Sequence, residues 1–423
     1  MLKVAFYIDD LNLESYDLSN ILNGNPGIGG TEYITIKVAK HLSDEGVNVV
    51  LYSPEQLRLP SGIKFKQSKK IEKVVSVCEK ENTILIFRLY SGVHSDILSI
   101  IAKYPKSKIL FWLHLTPAQN LITDLAQLKQ VKGFICVENN QRVRLIDGLF
   151  QNKLFTIPHP AIYNTPNYVK PNYEIPNLCY LGALVPQKGF HLLADIWPII
   201  KVKHPKLKLY VIGSGDLYKK NYYKNNKLAI SETYKDRIFK NLSPDDSSVV
   251  FLGNLDSGER QKIFEKCGIG IANPLGTTET FCISAVEMQQ FGLVTIAAKK
   301  FGLTDTVLHN QTGMLVKNKT QFIKAIDRLV TSEVLRIKMS SHAIGYVHNK
   351  YNSKKILNYW IDLLNNIDNE TSELVLLDLR KIDKKSTQAL VGLINRKFLW
   401  IFGIRWPMLI TVWSRLRSIK SIF

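Results

Sequence analysis

The sequence predicts an α/β protein made of two successive domains, each a doubly wound parallel sheet with helices on both faces. Its 423 residues, 45% of them hydrophobic, are enough to fill more than one core. Short apolar runs rich in β-branched residues alternate with helical patterns, which is typical of parallel strands joined by helices. Five prolines within residues 157–176 interrupt this alternation, which then restarts, so the chain is expected to divide there.

Residues 1–165 are expected to form the first domain. Strand-like runs occur at residues 4–8, 47–52, 84–87, 109–113 and 133–137, and a helical pattern occupies residues 32–43. Because the segments between these runs are too long for hairpins, we expect the strands to be parallel. Residues 166–176 are the expected linker.

Residues 177–345 are expected to form the second domain. Its strand-like runs are residues 178–181, 207–212, 249–252, 269–271 and 294–297, and its helical patterns are residues 191–202, 283–290 and 321–330. A lysine-rich stretch at residues 218–244 is expected to be a solvated surface insertion. A further helix is predicted within residues 346–366, and residues 367–423 form a basic, tryptophan-rich tail.

Two carboxylates eight positions apart, Glu279 and Glu287, are the most informative polar pattern. Eight residues span a little over two helical turns, so both can project from one side of a helix that begins near Thr280. A glycine-containing loop, residues 274–278, precedes this helix, and the unpaired amides of a helix N-terminus favour a diphosphate. A solvated helix face is the alternative explanation of the two acids.

Three further loops are expected at the carboxyl ends of strands, where doubly wound domains bind ligands in the cleft between them. Lys188 follows the run at 178–181 and can neutralise a phosphate. Gly215 ends a Gly-Ser-Gly turn after the run at 207–212, and Gly30 lies in a glycine-rich loop ahead of the first helix. Tight turns also require glycine, so these two loops have a purely structural explanation as well.

Taken together and in this order, these residues resemble glycosyltransferase family 4, the retaining glycosyl transferases group 1 of the GT-B fold. The resemblance covers roughly residues 1–365 and implies two Rossmann-like domains that face a cleft. The matching positions are Gly29, Gly30, Thr31 and Glu32, His114 after a strand, Lys188 and Gly189, and Glu279 and Glu287.

The resemblance implies transfer of a sugar from a nucleoside diphosphate donor to an acceptor hydroxyl, with retention at the anomeric carbon. It implies that Glu287 holds the ribose hydroxyls, that Glu279 lies near the donor sugar, and that Lys188 stabilises the departing diphosphate. His114 would lie beside the reacting bond; a structural histidine is the alternative. The implied catalytic residues are His114, Lys188 and Glu279, and the implied donor-binding residues are Gly30, Thr31, Lys188, Gly215, Thr280, Phe281, Cys282, Ile283 and Glu287.

The sequence departs from the family pattern at two places. Ala183 stands where the family usually carries an arginine, so one diphosphate cation is missing. Lys299 or Lys300 is the candidate replacement, and weak donor binding or an inactive homologue is the alternative. Thr280 and Cys282 stand where the family usually has glycine, so their side chains are expected to reshape the sugar pocket. No Asp-x-Asp occurs, and because a divalent metal needs carboxylate ligands, no metal or other cofactor is expected.

The net charge of +20 predicts an anionic partner, and the tail is the strongest candidate to meet it. The apolar-rich stretch at residues 398–413 is shorter than the ~20 residues that span a bilayer. We therefore expect it to lie at an anionic membrane surface, with a helix docked on the protein as the alternative. After Asn395 the chain has no acidic residue and carries Arg396, Lys397, Arg405, Arg415, Arg417 and Lys420, with Trp400, Trp406 and Trp413 among them.

Five scattered cysteines without metal-ligand spacing, and an N-terminus that soon turns acidic, predict a reduced cytoplasmic protein held peripherally at the membrane. We expect an enzyme of cell-surface polysaccharide or glycolipid synthesis that takes a nucleotide sugar and a saccharide or lipid-linked acceptor. A soluble disaccharide or glucan synthase is the alternative enzyme. The net charge of +20 also suggests a nucleic-acid-binding protein as the non-enzyme alternative. The two domains carry no recognition motif for nucleic acid, so no nucleic acid is expected as a partner.

Overall fold

A computed structural model describes residues 2–9, 13–89, 96–145, 151–163, 176–215, 230–277 and 279–369 of the chain. These residues contain two parallel sheets, each covered by helices on both faces, which confirms the predicted fold class. Each predicted strand and helix is present, with ends shifted by a few residues. Most of the predicted linker, the first part of the lysine-rich insertion and residues 370–423 of the tail lie outside the described residues.

The first sheet contains seven parallel strands in the order β3-β2-β1-β4-β5-β6-β7. The strands are β1 (Lys3–Tyr7), β2 (Asn48–Ser53), β3 (Lys64–Gln67), β4 (Ile84–Arg88), β5 (Lys108–Leu113), β6 (Val131–Cys136) and β7 (Leu154–Thr156). The helices of this half are α1 (Gly30–Asp44), α2 (Ile71–Lys80), α3 (Ile97–Ala102), α4 (Gln119–Gln127) and α5 (Asn139–Leu145). The strand order reverses between β1 and β4, and such a reversal opens a crevice at the carboxyl ends of the two strands.

The second sheet contains six parallel strands in the order β10-β9-β8-β11-β12-β13. The strands are β8 (Asn177–Leu181), β9 (Leu209–Ile212), β10 (Val249–Gly253), β11 (Cys267–Ala272), β12 (Val294–Ala298) and β13 (Gly313–Val316). The helices are α6 (Phe190–Lys203), α7 (Glu232–Phe239), α8 (Ser257–Phe264), α9 (Ile283–Gln290), α10 (Leu303–Thr306), α11 (Lys319–Thr331), α12 (Glu333–Lys350) and α13 (Ser353–Asp368). Its order reverses between β8 and β11, which lead to Lys188 and Glu279 respectively.

The C-terminal helix α13 returns to the first domain and completes its core. Trp360 is fully buried, and its ring meets that of Trp112 in β5 edge to face at 4.7 Å between centroids. At the end of the helix, Asp368 pairs with Lys108 at 3.2 Å between carboxylate and ammonium. The predicted boundary between residues 345 and 346 falls inside α12, which is continuous from Glu333 to Lys350.

A buried polar cluster joins the two domains where α12 ends. Lys350 lies 2.9 Å from the carboxylate of Glu138, which follows β6, and the Tyr351 hydroxyl donates to the same carboxylate at 2.7 Å. Asp305 of α10 accepts from the backbone amide of Asn140 at 2.8 Å. Burial and the nearby Glu138 raise the pKa of Asp305 from 3.8 to about 7. This cluster ties the second domain to the carboxyl edge of the first sheet.

All five cysteines are buried free thiols. No helix in the described part of the chain is both long enough and apolar enough to cross a membrane.

Candidate functional site

The residues singled out in the two halves of the sequence meet in the cleft between the domains. The Thr280 hydroxyl, in the second domain, donates to the backbone carbonyl of His114 in the first. Gly30 at the start of α1 approaches Ile283 at the start of α9 so closely that a Cβ on this glycine would lie 2.8 Å from the isoleucine Cδ1. The carboxyl edges of the two sheets therefore face each other, as the resemblance implied.

Lys188 and Glu279 form an ion pair on the second-domain side of the cleft. The lysine Nζ lies 2.7 Å from Oε2 of Glu279, and the same oxygen accepts from the side-chain amide of Asn273 at 2.7 Å. The Glu279 side chain is nearly buried, whereas the Lys188 side chain keeps 33% of its surface exposed. The Lys188 ammonium therefore faces the cleft, while the buried Glu279 carboxylate is held in place by Asn273.

Two loops lock together to place this pair. Gly189 has a φ of 71°, and a Cβ there would lie 2.8 Å from the backbone nitrogen of Leu275, so only glycine permits the contact. The Thr277 hydroxyl donates to the backbone carbonyl of Gln187 at 2.9 Å. The side-chain oxygen of Asn273 accepts from the amide of Gly276 at 2.7 Å and closes the second loop on itself.

Lys188 is a cation at neutral pH. Burial lowers the pKa of its ammonium, but the Glu279 carboxylate raises it by charge attraction and by the hydrogen bond, and the net pKa lies above the ordinary value. An ammonium that stays charged and faces the cleft is suited to an anionic ligand.

The prediction that both acids project from one helix is wrong for Glu279. Helix α9 begins at Ile283, with Cys282 as its N-cap, so Glu279 lies in the loop that leads into the helix. Glu287 lies within α9 and is 1% exposed. Among the first-turn amides of α9, that of Ala285 donates to the Cys282 carbonyl at 3.1 Å, whereas those of Ile283 and Ser284 lie before the first i−4 bond of the helix. This N-terminus follows directly on the loop that carries Glu279. Of the two acids eight positions apart, Glu279 thus belongs to the loop and Glu287 to the helix.

Glu287 is held by an arginine that the sequence analysis missed. The Arg260 guanidinium, from α8, lies 3.1 Å and 3.3 Å from the two carboxylate oxygens of Glu287. The Tyr163 hydroxyl lies 3.4 Å from one of these oxygens and donates to the Ser257 carbonyl at 3.0 Å. Arg260 belongs to no motif and lies 27 positions from Glu287, so no local signal pointed to it.

His114 lies in the first domain at the edge of a small pocket. Thr31, Glu32 and Arg88 also line the pocket, and Arg88 is held by Asp9 and Glu32, each at 3.1 Å. The imidazole of His114 stacks on that of His159 at 5.0 Å between centroids. Burial, followed by the charges of His159 and Arg88, lowers the pKa of His114 well below 6.5, so the ring is neutral. A neutral imidazole can exchange hydrogen bonds with a hydroxyl without adding charge.

Three of the predicted donor-binding side chains are packing groups rather than pocket walls. Phe281 is 6% exposed and meets the ring of His159 edge to face, while the Thr280 hydroxyl is engaged by a carbonyl. The Cys282 thiol is buried in the core of the second domain, and burial and the Glu279 charge raise its pKa to about 12. The Thr280 and Cys282 side chains thus both lie in packed surroundings, and the expectation that they reshape the sugar pocket stays a prediction.

The remaining predicted positions lie around the same edge. Gly215 follows β9 and is the last residue before a gap in the described ranges, so its surroundings lie outside them. Ala183 carries no cation, and its carbonyl accepts from the Tyr180 hydroxyl at 3.3 Å. Lys300 borders the loop at Gly276, where a glycine Cβ would lie 3.2 Å from the lysine Cβ, and both Lys299 and Lys300 are exposed. Within the described ranges, no three His, Cys, Asp or Glu side chains cluster as metal ligands would.

The chain is similar to known proteins over both domains. The family model of the glycosyl transferases group 1 matches residues 169–346. An uncharacterised glycosyltransferase of Haemophilus influenzae is 24% identical over 369 residues, which span 79% of this chain and 96% of the relative. The poly(ribitol-phosphate) alpha-N-acetylglucosaminyltransferase of Staphylococcus aureus is 23% identical over 240 residues, which span 56% of this chain and 44% of the relative.

Solved structures share the two-domain fold. A glycosyltransferase of Rickettsia africae has a TM-score of 0.65 at 17% identity, over 86% of this chain and 98% of that chain. The Anabaena protein HepE, solved in complex with UDP-glucose, has a TM-score of 0.61 at 14% identity, over 86% of this chain and 100% of that chain. The second domain therefore matches the family model of the glycosyl transferases group 1, and the two domains together share the GT-B fold of these solved glycosyltransferase structures.

Proposed function

We propose that this glycosyltransferase is a retaining enzyme of the family 4 type, which transfers a sugar from a nucleoside diphosphate sugar to an acceptor hydroxyl. One observation carries the proposal: Lys188 is held 2.7 Å from Glu279 in the loop that leads into the N-terminus of α9. A fixed cation beside unpaired helix amides binds a diphosphate and stabilises the charge that develops as it leaves. Because these groups can neutralise the leaving diphosphate, the proposed transfer needs no metal.

The two acids divide the donor between them. Glu287, within α9, is proposed to accept hydrogen bonds from the ribose hydroxyls. Glu279, ahead of the helix, is proposed to face the donor sugar and to orient Lys188 towards the diphosphate. The order of the groups in the donor matches their order in the protein. The diphosphate lies between the sugar and the ribose in the donor, and the N-terminus of α9 lies between Glu279 and Glu287 in the sequence.

The first domain is proposed to receive the acceptor in the pocket beside His114. The neutral imidazole, the Thr31 hydroxyl and the carboxylates around Arg88 are hydrogen-bonding groups suited to a polyhydroxylated ligand. Gly30 lets the start of α1 come close to the donor-side helix, so the acceptor hydroxyl can reach the donor sugar across the cleft. The resemblance implies that Thr31 binds the donor, and in this proposal its hydroxyl also contacts the acceptor.

The relatives support a nucleotide sugar donor and a cell-surface product. HepE has been solved with UDP-glucose, and the Staphylococcus aureus relative is named for transfer of N-acetylglucosamine to poly(ribitol-phosphate). We propose polysaccharide or glycolipid assembly as the pathway, with a saccharide or lipid-linked acceptor.

A thermal-shift panel tests the donor side. UDP, GDP, ADP and their sugars are added to the wild type and to Glu287→Ala, with Glu265→Ala, an exposed carboxylate on the surface, as the matched control. A nucleotide that binds the folded state raises the melting temperature by mass action. We expect one base to stabilise the wild type and the control but not Glu287→Ala. If no nucleotide stabilises the wild type, the proposed donor class is wrong.

Turnover with the donor so identified tests the chemistry. We expect activity to survive excess EDTA, and proton NMR of the product to show the anomeric configuration of the donor. Loss of activity in EDTA that magnesium or manganese restores would contradict the metal-independent proposal. An inverted product would contradict retention.

We propose that the tail holds the enzyme at the cytoplasmic face of a membrane. Its support is the sequence alone: six basic residues and three tryptophans after Asn395. Co-sedimentation with phosphatidylglycerol vesicles is expected for the full chain and not for a chain ending at Asn369, which keeps α13 whole. Equal binding by both chains would refute it, and turnover of a soluble acceptor alone would favour the disaccharide or glucan synthase.

A further inference from the structure

We propose that Arg260 is a positioning residue for the donor, which orients the Glu287 carboxylate so that it can accept hydrogen bonds from the ribose hydroxyls. The inference rests on the proposed function, because the ribose-binding role of Glu287 is part of it. Its starting point is the contact of one guanidinium nitrogen with both carboxylate oxygens, at 3.1 Å and 3.3 Å.

Burial makes this contact matter. The Glu287 side chain is 2% exposed and that of Arg260 is 11% exposed, so water stabilises the carboxylate little. A buried carboxylate without its cation turns towards any other donor within reach, here the Tyr163 hydroxyl at 3.4 Å. Arg260 therefore fixes the direction in which the Glu287 oxygens can accept hydrogen bonds.

The guanidinium is itself held in place. Its Nε donates to the backbone carbonyl of Leu255 at 2.9 Å, which fixes the plane of the group. Helix α8 begins with a capping box at Asp256, and Ser257 accepts from the backbone amide of Asn25 in the glycine-rich loop at 2.7 Å. Arg260 thus projects from a helix that is anchored at its N-cap and at the domain interface. The position of its guanidinium is therefore fixed, and so is the orientation of the Glu287 carboxylate that pairs with it.

Binding of nucleotides with and without ribose hydroxyls tests the inference. Titration calorimetry compares UDP with 2′,3′-dideoxy-UDP, or the corresponding pair of whichever base stabilises the wild type. The proteins are the wild type, Arg260→Gln and Arg260→Lys, with Lys262→Gln, an exposed cation on the same helix, as control.

We expect the wild type and the control to prefer the nucleotide that has ribose hydroxyls by about tenfold or more, the value of one hydrogen bond to a charged group. Arg260→Gln should lose most of this preference while its affinity for the dideoxy nucleotide stays within about twofold of wild type, since only the ribose contact changes. The preference of Arg260→Lys should lie between those of the wild type and Arg260→Gln. An ammonium keeps the positive charge, but it cannot bond the Leu255 carbonyl and Glu287 through two separate nitrogens as the guanidinium does. With the donor, the loss should appear in KM rather than in kcat.

Three outcomes separate the possibilities. If Arg260→Gln lowers the affinity for both nucleotides equally, or leaves the preference unchanged, the inference is wrong and the pair is structural. If Arg260→Gln does not fold, Arg260→Lys decides, because a preference as strong as that of the wild type together with an unchanged KM overturns the inference. If the wild type binds no nucleoside diphosphate, the proposed function fails instead.

Discussion

Glutamine substitutions at Lys188 and Glu279 should change nucleotide affinity in opposite directions. The lysine ammonium is the cation offered to the diphosphate, and the carboxylate 2.7 Å away competes with the diphosphate for it. Lys188→Gln removes the attraction. Glu279→Gln keeps the lysine and removes a negative charge from the neighbourhood of the ligand.

The sizes of the two effects follow from the geometry. A hydrogen bond to a charged group contributes about 1.5–3 kcal/mol, so Lys188→Gln should weaken binding about 10- to 100-fold. Two like unit charges about 5 Å apart interact by about 3 kcal/mol at an effective dielectric constant of ~20. Because the Lys188 side chain is 33% exposed, solvent screens this repulsion. We expect about 1 kcal/mol, or about fivefold tighter binding, for Glu279→Gln.

Calorimetric titration with the nucleoside diphosphate that stabilises the wild type measures both constants. Lys206→Gln, an exposed lysine of the same domain, controls for the loss of one positive charge. Urea unfolding should show that each substitution leaves the protein folded and lowers the free energy of unfolding by at most about 3 kcal/mol, since the Lys188 side chain is partly exposed and the Glu279 carboxylate is nearly buried. If Glu279→Gln weakens binding as much as Lys188→Gln, the pair is a structural clamp and the anion site is misplaced.

Three further predictions concern the rest of the fold. The pKa of Asp305 is raised to about 7, so its ionisation should cost the folded state stability as the pH rises from about 4 to about 7. Asp305→Asn should lack this loss, which we expect to be at most about 3 kcal/mol between pH 5 and pH 8, because about two pH units of the window lie above pH 5; urea titrations at these two pH values measure it. Burial lowers the pKa of His159 to about 3 and that of His114 well below 6.5, so imidazole NMR signals of both should stay unchanged from pH 8 to pH 5; titration of either near pH 6.5 would contradict the burial. Trp360→Ala should lower the free energy of unfolding by about 3–5 kcal/mol, whereas Asn358→Ala on the exposed face of the same helix should change it by less than about 0.5 kcal/mol in the same urea titration.

The buried strands were predictable because their residues are apolar on both faces. β5 is buried at every position, and the five apolar residues 109–113 stand out in the sequence. β3 was missed because its sequence, Lys-Phe-Lys-Gln, is largely exposed at the sheet edge. β7 and β13 were missed because they have only three and four residues, although β13 is buried throughout. The return of α13 to the first domain could not be predicted, since the partners Trp112 and Trp360 lie far apart in sequence.

The candidate site was predictable where a local pattern carried it. Lys188, Glu279 and Glu287 were found because glycines and helix signals surround them, and the structure brings the first two into contact. Arg260 carried no such signal, because its importance comes from the contact of its side chain with Glu287, 27 positions later in the chain. The burial of Cys282 could not be predicted either, because the residue lies in the loop before α9, and a loop has no periodic pattern that distinguishes buried from exposed side chains.

The chain crosses between the domains twice, once between Tyr163 and Pro176 and once at the end of α12. Just before the first crossing, the Ala161 amide donates to the carbonyl of Tyr351, the residue after α12, at 2.9 Å. This hydrogen bond holds the ends of the two connections side by side. Opening of the cleft should therefore turn about this contact, so that Ala161 and Tyr351 keep their distance while Gly30 and Ile283 move apart.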